Sequence, residues 1–297
     1  MLSRCFSTYH PIVQLVYFTA VITFTMLIEH PVFLSISLLC AFVSAVISGG
    51  KKALKASLFL LVPSAVLFCL INPLFSHQGI TILFYLPDGN PFTLESVIYG
   101  LSASCILSSV MLWCVCLRYT VSSDRVLYLF GRISPKLSLL LSMTLRFVPL
   151  LISQLKQVRS AHRCLGRDTG SGGIIKRTRA AAGIISCVTG RALEGAVITA
   201  DSMKSRGYGL SGRTAYSLYH IRLRDITVLA VLISLSALIT AGMFSGITEF
   251  YYYPYVMSVS FTLMETILYI GFMLLCTLPV ISGIGEEIKW SYARSRV

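Results

Sequence analysis

Arginine and lysine side chains form the clearest pattern in this sequence that could do chemistry. Lys156, Arg159, Arg163 and Arg167 are separated by three, four and four residues. This spacing places all four on one face of a helix, and we call them the basic row. Arginine binds carboxylates and phosphates through several directed hydrogen bonds. The basic row therefore predicts a face that is either solvated or in contact with an acidic partner.

Two arginine-rich segments also contain a glycine. They are Arg163-Cys164-Leu165-Gly166-Arg167, the first tip, and Lys204-Ser205-Arg206-Gly207, the second tip. A glycine in the left-handed conformation commonly ends a helix, and cations are favourable at a helix C-terminus. We predict that two helices end in these two basic tips.

Motifs for catalysis and cofactor binding are absent from the sequence. The glycines between Gly166 and Gly173 lack the lysine of a P-loop, and no hydrolase motif occurs. The nine cysteines are scattered, and the one close pair, Cys114 and Cys116, does not have zinc-site spacing. We expect no enzymatic activity, no catalytic residue, no metal and no cofactor. Any energy that the protein uses must come from a partner.

The elements that carry the tips belong to a basic stretch between two groups of apolar segments. Of the 25 basic residues, 18 lie between Arg118 and Arg224, and none occurs in the ranges 56–117 and 225–288. Cytoplasmic loops of membrane proteins collect lysine and arginine. The net charge of +13 is therefore explained by a basic cytoplasmic face, and we expect no nucleic-acid partner.

Hydropathy predicts a polytopic, all-α membrane protein. Hydrophobic residues make up 55% of the chain and charged residues 12%, as expected for a chain in contact with lipid. We expect both termini and the central stretch to be cytoplasmic in a bacterial cell membrane, and the first apolar segment to be retained as a span. The chain then divides into residues 1–117 with four spans, residues 118–224 as a basic cytoplasmic insert, and residues 225–297 with two spans and a tail. The six predicted spans are Ile12–Ile28, Val32–Ile47, Ala53–Ile71, Ser96–Leu117, Ile226–Phe244 and Tyr255–Ile281.

Three helices are predicted within the insert. A short amphipathic helix begins near Asp124 and stops at Pro135, and a long second helix has an apolar face from Leu137 to Val158. The third runs from about Ile174 to Arg206 and is rich in small residues, which allow another helix to approach closely. We predict that the second and third helices cross through these residues: Gly183, Ser186, Gly190, Ala192, Gly195, Ala196, Thr199 and Ala200.

Glu265 is the clearest acidic residue in the predicted spans. An acid inside the membrane is a functional candidate by default. A single acid makes a poor ion relay, so we expect Glu265 to bond a neighbouring helix.

Taken together, these features resemble the transmembrane T component of energy-coupling factor (ECF) transporters, the vitamin-uptake branch of the ABC superfamily. The resemblance covers nearly the whole chain. Besides the second tip, it includes Asn72-Pro73-Leu74-Phe75, Gly89-Asn90-Pro91, Thr93-Leu94-Glu95-Ser96 and Leu145-Arg146-Phe147-Val148-Pro149.

The resemblance implies a coupling subunit with two cytoplasmic ABC-type ATPase partners and a membrane-embedded, substrate-binding S component. In that family, the arginines of two Ala-Arg-Gly motifs dock on the ATPases. The residues Ser205, Arg206 and Gly207 match this motif with one change. The first tip differs, because Cys164-Leu165-Gly166 has leucine in place of the arginine. Either Arg163 or Arg167 supplies the contact, or this tip docks by packing.

Two residues of the second helix are implied scaffold positions. Arg146 and Pro149 are expected to orient the helix, although Arg146 could equally reach phosphate headgroups.

Other functions remain open. A secondary transporter would need inverted repeats, which we do not detect. A membrane receptor or assembly scaffold that binds another cytoplasmic protein through the basic insert is the main alternative.

Overall fold

The computed structural model describes residues 9–76, 78–85, 91–166, 173–210, 219, 221–258 and 261–294. These residues are predominantly helical, which confirms the all-α class, and a two-stranded antiparallel sheet is an addition that the sequence analysis did not predict. The elements are α1 (Pro11–Leu27), α2 (Pro31–Phe75), β1 (Ile82–Tyr85), β2 (Pro91–Thr93), α3 (Leu94–Thr120), α4 (Ser123–Ile133), α5 (Pro135–Cys164), α6 (Ile174–Ser205), α7 (Leu223–Phe244) and α8 (Leu263–Arg294).

Among the described residues, six helices are long and apolar enough to cross a membrane, which confirms a multi-pass membrane protein. They are not the same six segments as the predicted spans. By length and composition, α5 and α6 are also among the six, although the sequence placed them in the insert. Pro11–Leu27 and Leu61–Phe75 are apolar helices but are shorter than a candidate span. The six are Pro31–Gly50, Leu94–Thr120, Lys136–Cys164, Ile174–Ser205, Leu223–Phe244 and Leu263–Gly283.

Helix α2 is interrupted at Gly50, whose φ of 59° and ψ of −146° are not helical. A positive φ is strained for residues with a Cβ, so glycine permits the break. Before it, α2 runs parallel to α3: the indole N–H of Trp113 donates to Ser37 Oγ over 3.1 Å, and Cys116 lies against the carbonyl of Ala41.

After the break, α2 runs antiparallel to α3. Ser64 Oγ is 2.8 Å from Ser108 Oγ. About two turns later in α2 and three turns earlier in α3, Asn72 Nδ2 donates to the carbonyl of Ser96 over 2.8 Å. The chain therefore doubles back at Gly50. This reversal agrees with the prediction of two separate spans, Val32–Ile47 and Ala53–Ile71.

Helices α7 and α8 form an antiparallel pair with glycines at the contact. A Cβ built on Gly242 would lie 2.6 Å from Leu268 Cδ1, and one built on Gly271 would lie 2.9 Å from Leu238 Cδ2. Helix α1 packs on this pair and on α3, and the hydroxyl of Tyr17 donates to the carbonyl of Cys276 over 3.0 Å.

The start of α8 corrects one expectation and locates Glu265. The last span was predicted from Tyr255, but residues 251–258 are not helical and α8 begins at Leu263. Glu265 accordingly lies in the first helical turn, where its carboxylate accepts the backbone N–H of Thr262 over 2.9 Å. It caps its own helix, because a carboxylate at a helix N-terminus is stabilised by the free N–H groups there.

His30 caps α2 inside an aromatic cluster. Its Nδ1 accepts the backbone N–H of Val32 over 3.3 Å, which leaves the proton of the neutral ring on Nε2, 3.3 Å from the hydroxyl of Tyr269. The ring is 5% exposed and lies beside Phe33 and Phe250. Burial lowers the pKa of His30, while the negative charge of Glu265 raises it and only partly offsets the burial.

We expect acidification to destabilise the protein at His30. Because its folded-state pKa lies below the unfolded value, the unfolded state binds more protons, and stability is lost as pH falls from the unfolded value near 6.5 through the lower folded-state value. Protonation would also remove the acceptor that caps α2. Thermal unfolding of the purified chain in detergent at pH 7.5 and 5.5 tests this. His30→Asn, which keeps a capping oxygen and does not titrate, should lose less stability over this interval, and equal losses in both proteins would contradict it.

A partly buried polar cluster lies where the chain leaves α3 and where it enters α7. We call it the junction cluster: Tyr9, His10, Gln14, Thr120, Arg125, Arg222, Arg224 and Asp225. Gln14 is fully buried and links two parts of it. Its Nε2 donates to the carbonyl of Tyr9 over 3.0 Å, and its Oε1 accepts from Arg125 over 2.8 Å. Arg125 also donates to the carbonyl of Thr120 over 2.8 Å, so the chain after α3 is fixed to the segment before α1.

Asp225 fixes the returning chain to the same segment. Its carboxylate accepts the backbone N–H of His10 over 3.3 Å and that of Arg222 over 3.0 Å. The guanidinium of Arg224 lies 4.2 Å from the centre of the Tyr9 ring, a cation–π geometry. Three segments that are distant in sequence therefore meet at one partly buried site.

Candidate coupling site

The described part of the chain forms two compact units, and residues Leu127–Leu218 make up the second. Proline and glycine residues in the sequence set the ends of its helices. Helix α4 ends at Ile133 before Pro135, and α5 and α6 end at Cys164 and Ser205, as predicted from the tips. The predicted boundaries of the coupling insert, residues 118–224, stay a prediction.

Helices α5 and α6 pack on each other through a small apolar contact, which we call the crossing. Val158 of α5 and Ile184 and Val188 of α6 are buried there, and Leu151 packs against them. The α5 residues follow the predicted apolar face, because they recur at helical spacing.

Two polar atoms of α5 are also buried without a hydrogen-bond partner among the described residues: Gln154 Oε1 and His162 Nδ1. The sequence analysis did not identify them, because it treated this face of α5 as apolar.

The small residues of α6 contribute less to the crossing than predicted. A Cβ built on Gly183 would lie 3.7 Å from His162 Cε1, an ordinary van der Waals distance, whereas one built on Gly190 or Gly195 would meet nothing within 4 Å. Larger residues, Ile184 and Val188, form the contact instead. A second face of α6 is consequently exposed, with Ser186, Gly190, Leu193 and Val197 at spacings of four, three and four.

The second tip has the predicted glycine cap. Gly207 has a φ of 78°, its N–H donates to the carbonyl of Lys204, and the N–H of Tyr208 donates to the carbonyl of Met203 over 3.0 Å. This is the Schellman pattern. Ser205 and Arg206 are exposed at the end of the helix. The arginine is available to a partner, and the backbone that carries it is fixed.

The first tip is also exposed at the end of its helix. Gly166 has a φ of 73°, which confirms the predicted left-handed glycine. Arg163 and Cys164 are exposed, and Leu165 is 74% exposed. Arg167 lies outside the described residues. The tip therefore presents a large apolar side chain beside a cation.

The described residues of the basic row line a shallow groove. Lys156, Arg159, Ser160 and Arg163 surround about 290 Å³. The scaffold residues Arg146 and Pro149 are exposed on the same helix. No described contact tests whether these two orient α5, which stays a prediction.

Comparison with known proteins decides the family. The family model for CbiQ, described as a cobalt transport protein, matches residues 3–216. The chain belongs to the CbiQ family. This match includes both tips and the crossing, and it confirms the resemblance found in the sequence.

Relatives of this CbiQ chain carry the name energy-coupling factor transporter transmembrane protein EcfT. The protein from Bacillus selenitireducens is 26% identical over 76% of this chain and 88% of its own length. The protein from Listeria monocytogenes, EcfT 1, is 27% identical over 60% of this chain and 69% of its own length. The protein from Lactobacillus helveticus is 37% identical over 35% of this chain, and the match spans only 38% of that relative's length.

The junction cluster is the main feature of this CbiQ chain that the sequence analysis missed. Asp225 directly precedes the predicted span that begins at Ile226, and Gln14 and Arg125 gave no signal. One indication was available, because Asp225 stands three residues after the helix N-cap, Arg222, a position from which an acid can bond the N-cap backbone.

Proposed function

We propose that this protein is the transmembrane T component of an ATP-driven ECF-type importer for a vitamin or another micronutrient. The observation that supports this most directly is a pair of crossed helices, each ending in an exposed basic tip with a glycine cap, in a chain of the CbiQ family. The protein is not itself catalytic in this proposal. Its two cytoplasmic ABC-type ATPase partners hydrolyse ATP, and a separate S component binds the substrate in the membrane.

The crossing would act as a pivot with two arms of different length. From Val188 to Arg206 is about 27 Å along α6, and from Val158 to Leu165 is about 10 Å along α5, at a rise of 1.5 Å per residue. If each tip docks on a different ATPase, closure of the ATPase pair moves the two tips together. The helices then rotate at the crossing, where the apolar contact is small, and the second tip travels further than the first.

Arg206 is the principal docking residue at the second tip. Its guanidinium can keep several hydrogen bonds to a carboxylate as the partner rotates. The glycine cap at Gly207 and the Schellman hydrogen bonds fix the direction in which the arginine leaves the helix. Ser205 precedes it, with its hydroxyl bonded to the carbonyl of Ser202.

Leu165 is the principal docking residue at the first tip, with Arg163 beside it and Arg167 as a further candidate. An apolar side chain that is 74% exposed at a helix end gains free energy when a partner covers it. This tip would dock by packing, and the neighbouring arginines would add charge complementarity.

The S component would pack on the exposed face of α6. Ser186, Gly190, Leu193 and Val197 lie on one side of the helix, opposite the crossing. Small residues let a second helix approach closely within or beside a membrane. Rotation of α6 at the crossing would then move the S component directly.

Co-purification tests the proposal. The chain is co-expressed with the ABC-type ATPases and candidate S components of its own genome and purified in detergent, and the retained proteins are identified. We expect two ATPase subunits and an S component. In parallel, Leu165→Ser should weaken ATPase retention more than Arg163→Gln if the first tip docks by packing, and the reverse order would assign that contact to arginine.

Failure to retain any ATPase, with the chain folded, would contradict the proposal. Retention of an unrelated cytoplasmic protein through the basic insert would favour the receptor or scaffold alternative.

A further inference from the structure

One face of α5 changes from apolar to basic along its length. Leu145, Val148 and Ile152 are exposed on it, and the described residues of the basic row continue it. The spacing from Leu145 to Arg163 is three, four, four, three and four, so all six side chains stack on one side of the helix. The change from apolar to basic takes place within one turn, between Ile152 and Lys156.

This face is separate from the crossing. The residues that pack toward α6 are Leu151, Val158 and His162. They lie roughly a third of a turn away around the helix, at 100° per residue. Packing of α5 on α6 therefore leaves the face uncovered.

The formally charged residues of α5 are all basic. The sequence Pro135–Cys164 contains five lysine and arginine residues and no aspartate or glutamate. Three of the cations, with Ser160, line the groove of about 290 Å³. Such a groove is complementary to an anion, and phosphate accepts hydrogen bonds from several cations at once.

We propose that this face of α5 lies against the membrane and that the groove binds the phosphate headgroup of an anionic phospholipid. The order of the residues favours a lipid over an acidic protein. Leu145, Val148 and Ile152 would contact acyl chains, while Lys156 and Arg159 would extend their charged ends among the headgroups.

The length of the basic row and the thickness of the headgroup region agree with this arrangement. The basic row from Lys156 to Arg163 is about 10 Å long, and the headgroup region on each side of the hydrocarbon is about 5 to 8 Å thick. The helix would therefore pass through the headgroup region obliquely, with its first tip on the water side.

Lipid selectivity of the full-length chain tests the proposal. The purified protein is reconstituted in phosphatidylcholine, and electron spin resonance compares the association of spin-labelled phosphatidylglycerol with that of spin-labelled phosphatidylcholine. We expect the wild type to prefer phosphatidylglycerol. In Lys156→Gln/Arg159→Gln this preference should fall by roughly fivefold or more at low ionic strength, because each cation near an anionic surface contributes about 1 kcal/mol.

A matched variant controls for charge alone. Lys176→Gln/Arg179→Gln removes the same charge at the same spacing from exposed positions of α6, and it should keep the preference. The proposal is overturned if the wild type has no preference, if both double variants lose it equally, or if Lys156→Gln/Arg159→Gln leaves it unchanged and instead releases the ATPases. It is also overturned if inorganic phosphate, at constant ionic strength, displaces the lipid, since the groove would then be a site for free phosphate.

Discussion

Substituting glutamate for Arg206 is expected to release the ATPase subunits from the purified chain. The change reverses a charge at the exposed end of α6 and leaves the cap at Gly207 intact. An arginine docked against carboxylates becomes a like-charge contact, and breaking a hydrogen-bonded charge pair at an interface costs about 2 to 5 kcal/mol. Affinity should fall by about 30-fold or more, which co-purification in detergent and substrate uptake in vesicles both report.

Arg191→Glu is the control for this experiment. Arg191 is an exposed residue of the same helix, and it lies 15 residues before Arg206. The same charge reversal there should leave ATPase retention close to that of the wild type. Equal loss in the two variants would assign the effect to the overall charge of the insert, and wild-type uptake by Arg206→Glu would refute a coupling role for this residue.

Gly100→Leu is expected to be the most damaging change within the membrane helices. A Cβ at Gly100 would lie 2.6 Å from the backbone oxygen of Phe68 and 3.2 Å from Cβ of Asn72. The obstacle is partly backbone, so α2 and α3 must separate along their antiparallel contact. Overpacking of this kind costs typically 1 to 3 kcal/mol and occasionally more, and we expect about 3 kcal/mol or more here.

Thermal unfolding of the purified protein in detergent, together with its yield from membranes, measures the effect. Gly195→Leu on α6 is the comparison, because a Cβ there meets nothing within 4 Å. That variant should be as stable as the wild type or about 1 kcal/mol more stable, since leucine favours helix over glycine. A wild-type melting temperature for Gly100→Leu would show that α2 and α3 do not pack this closely.

The sequence alone predicted the features that depend on local chemistry. The tips placed the ends of α5 and α6 to within one residue, because the glycines at Gly166 and Gly207 take the left-handed conformation that only a few residue types adopt readily. The reversal at Gly50 lies between the predicted spans Val32–Ile47 and Ala53–Ile71.

Features that depend on which surfaces meet were predicted less well. The abundance of small residues suggested a glycine-lined crossing, but Ile184 and Val188 fill it, because a helix has several faces and composition does not indicate which one is used. The last span was predicted to begin at Tyr255 because hydropathy continues past the start of the helix, and only the position of α8 shows that Glu265 lies in its first turn. The junction cluster joins His10 to Asp225. These residues are so far apart in the chain that no helix or strand periodicity indicates their contact.

Because of the junction cluster, the central part of the chain can be exchanged as a unit. Arg125 and Asp225, on the outgoing and returning segments, are both bonded to the short stretch from Tyr9 to Gln14. A chimera that exchanges residues 127–218 for those of a relative would keep both attachments and the whole of the first unit. Under the proposed function, recombination at these two points would exchange the residues that dock on the ATPases without redesign of the membrane helices.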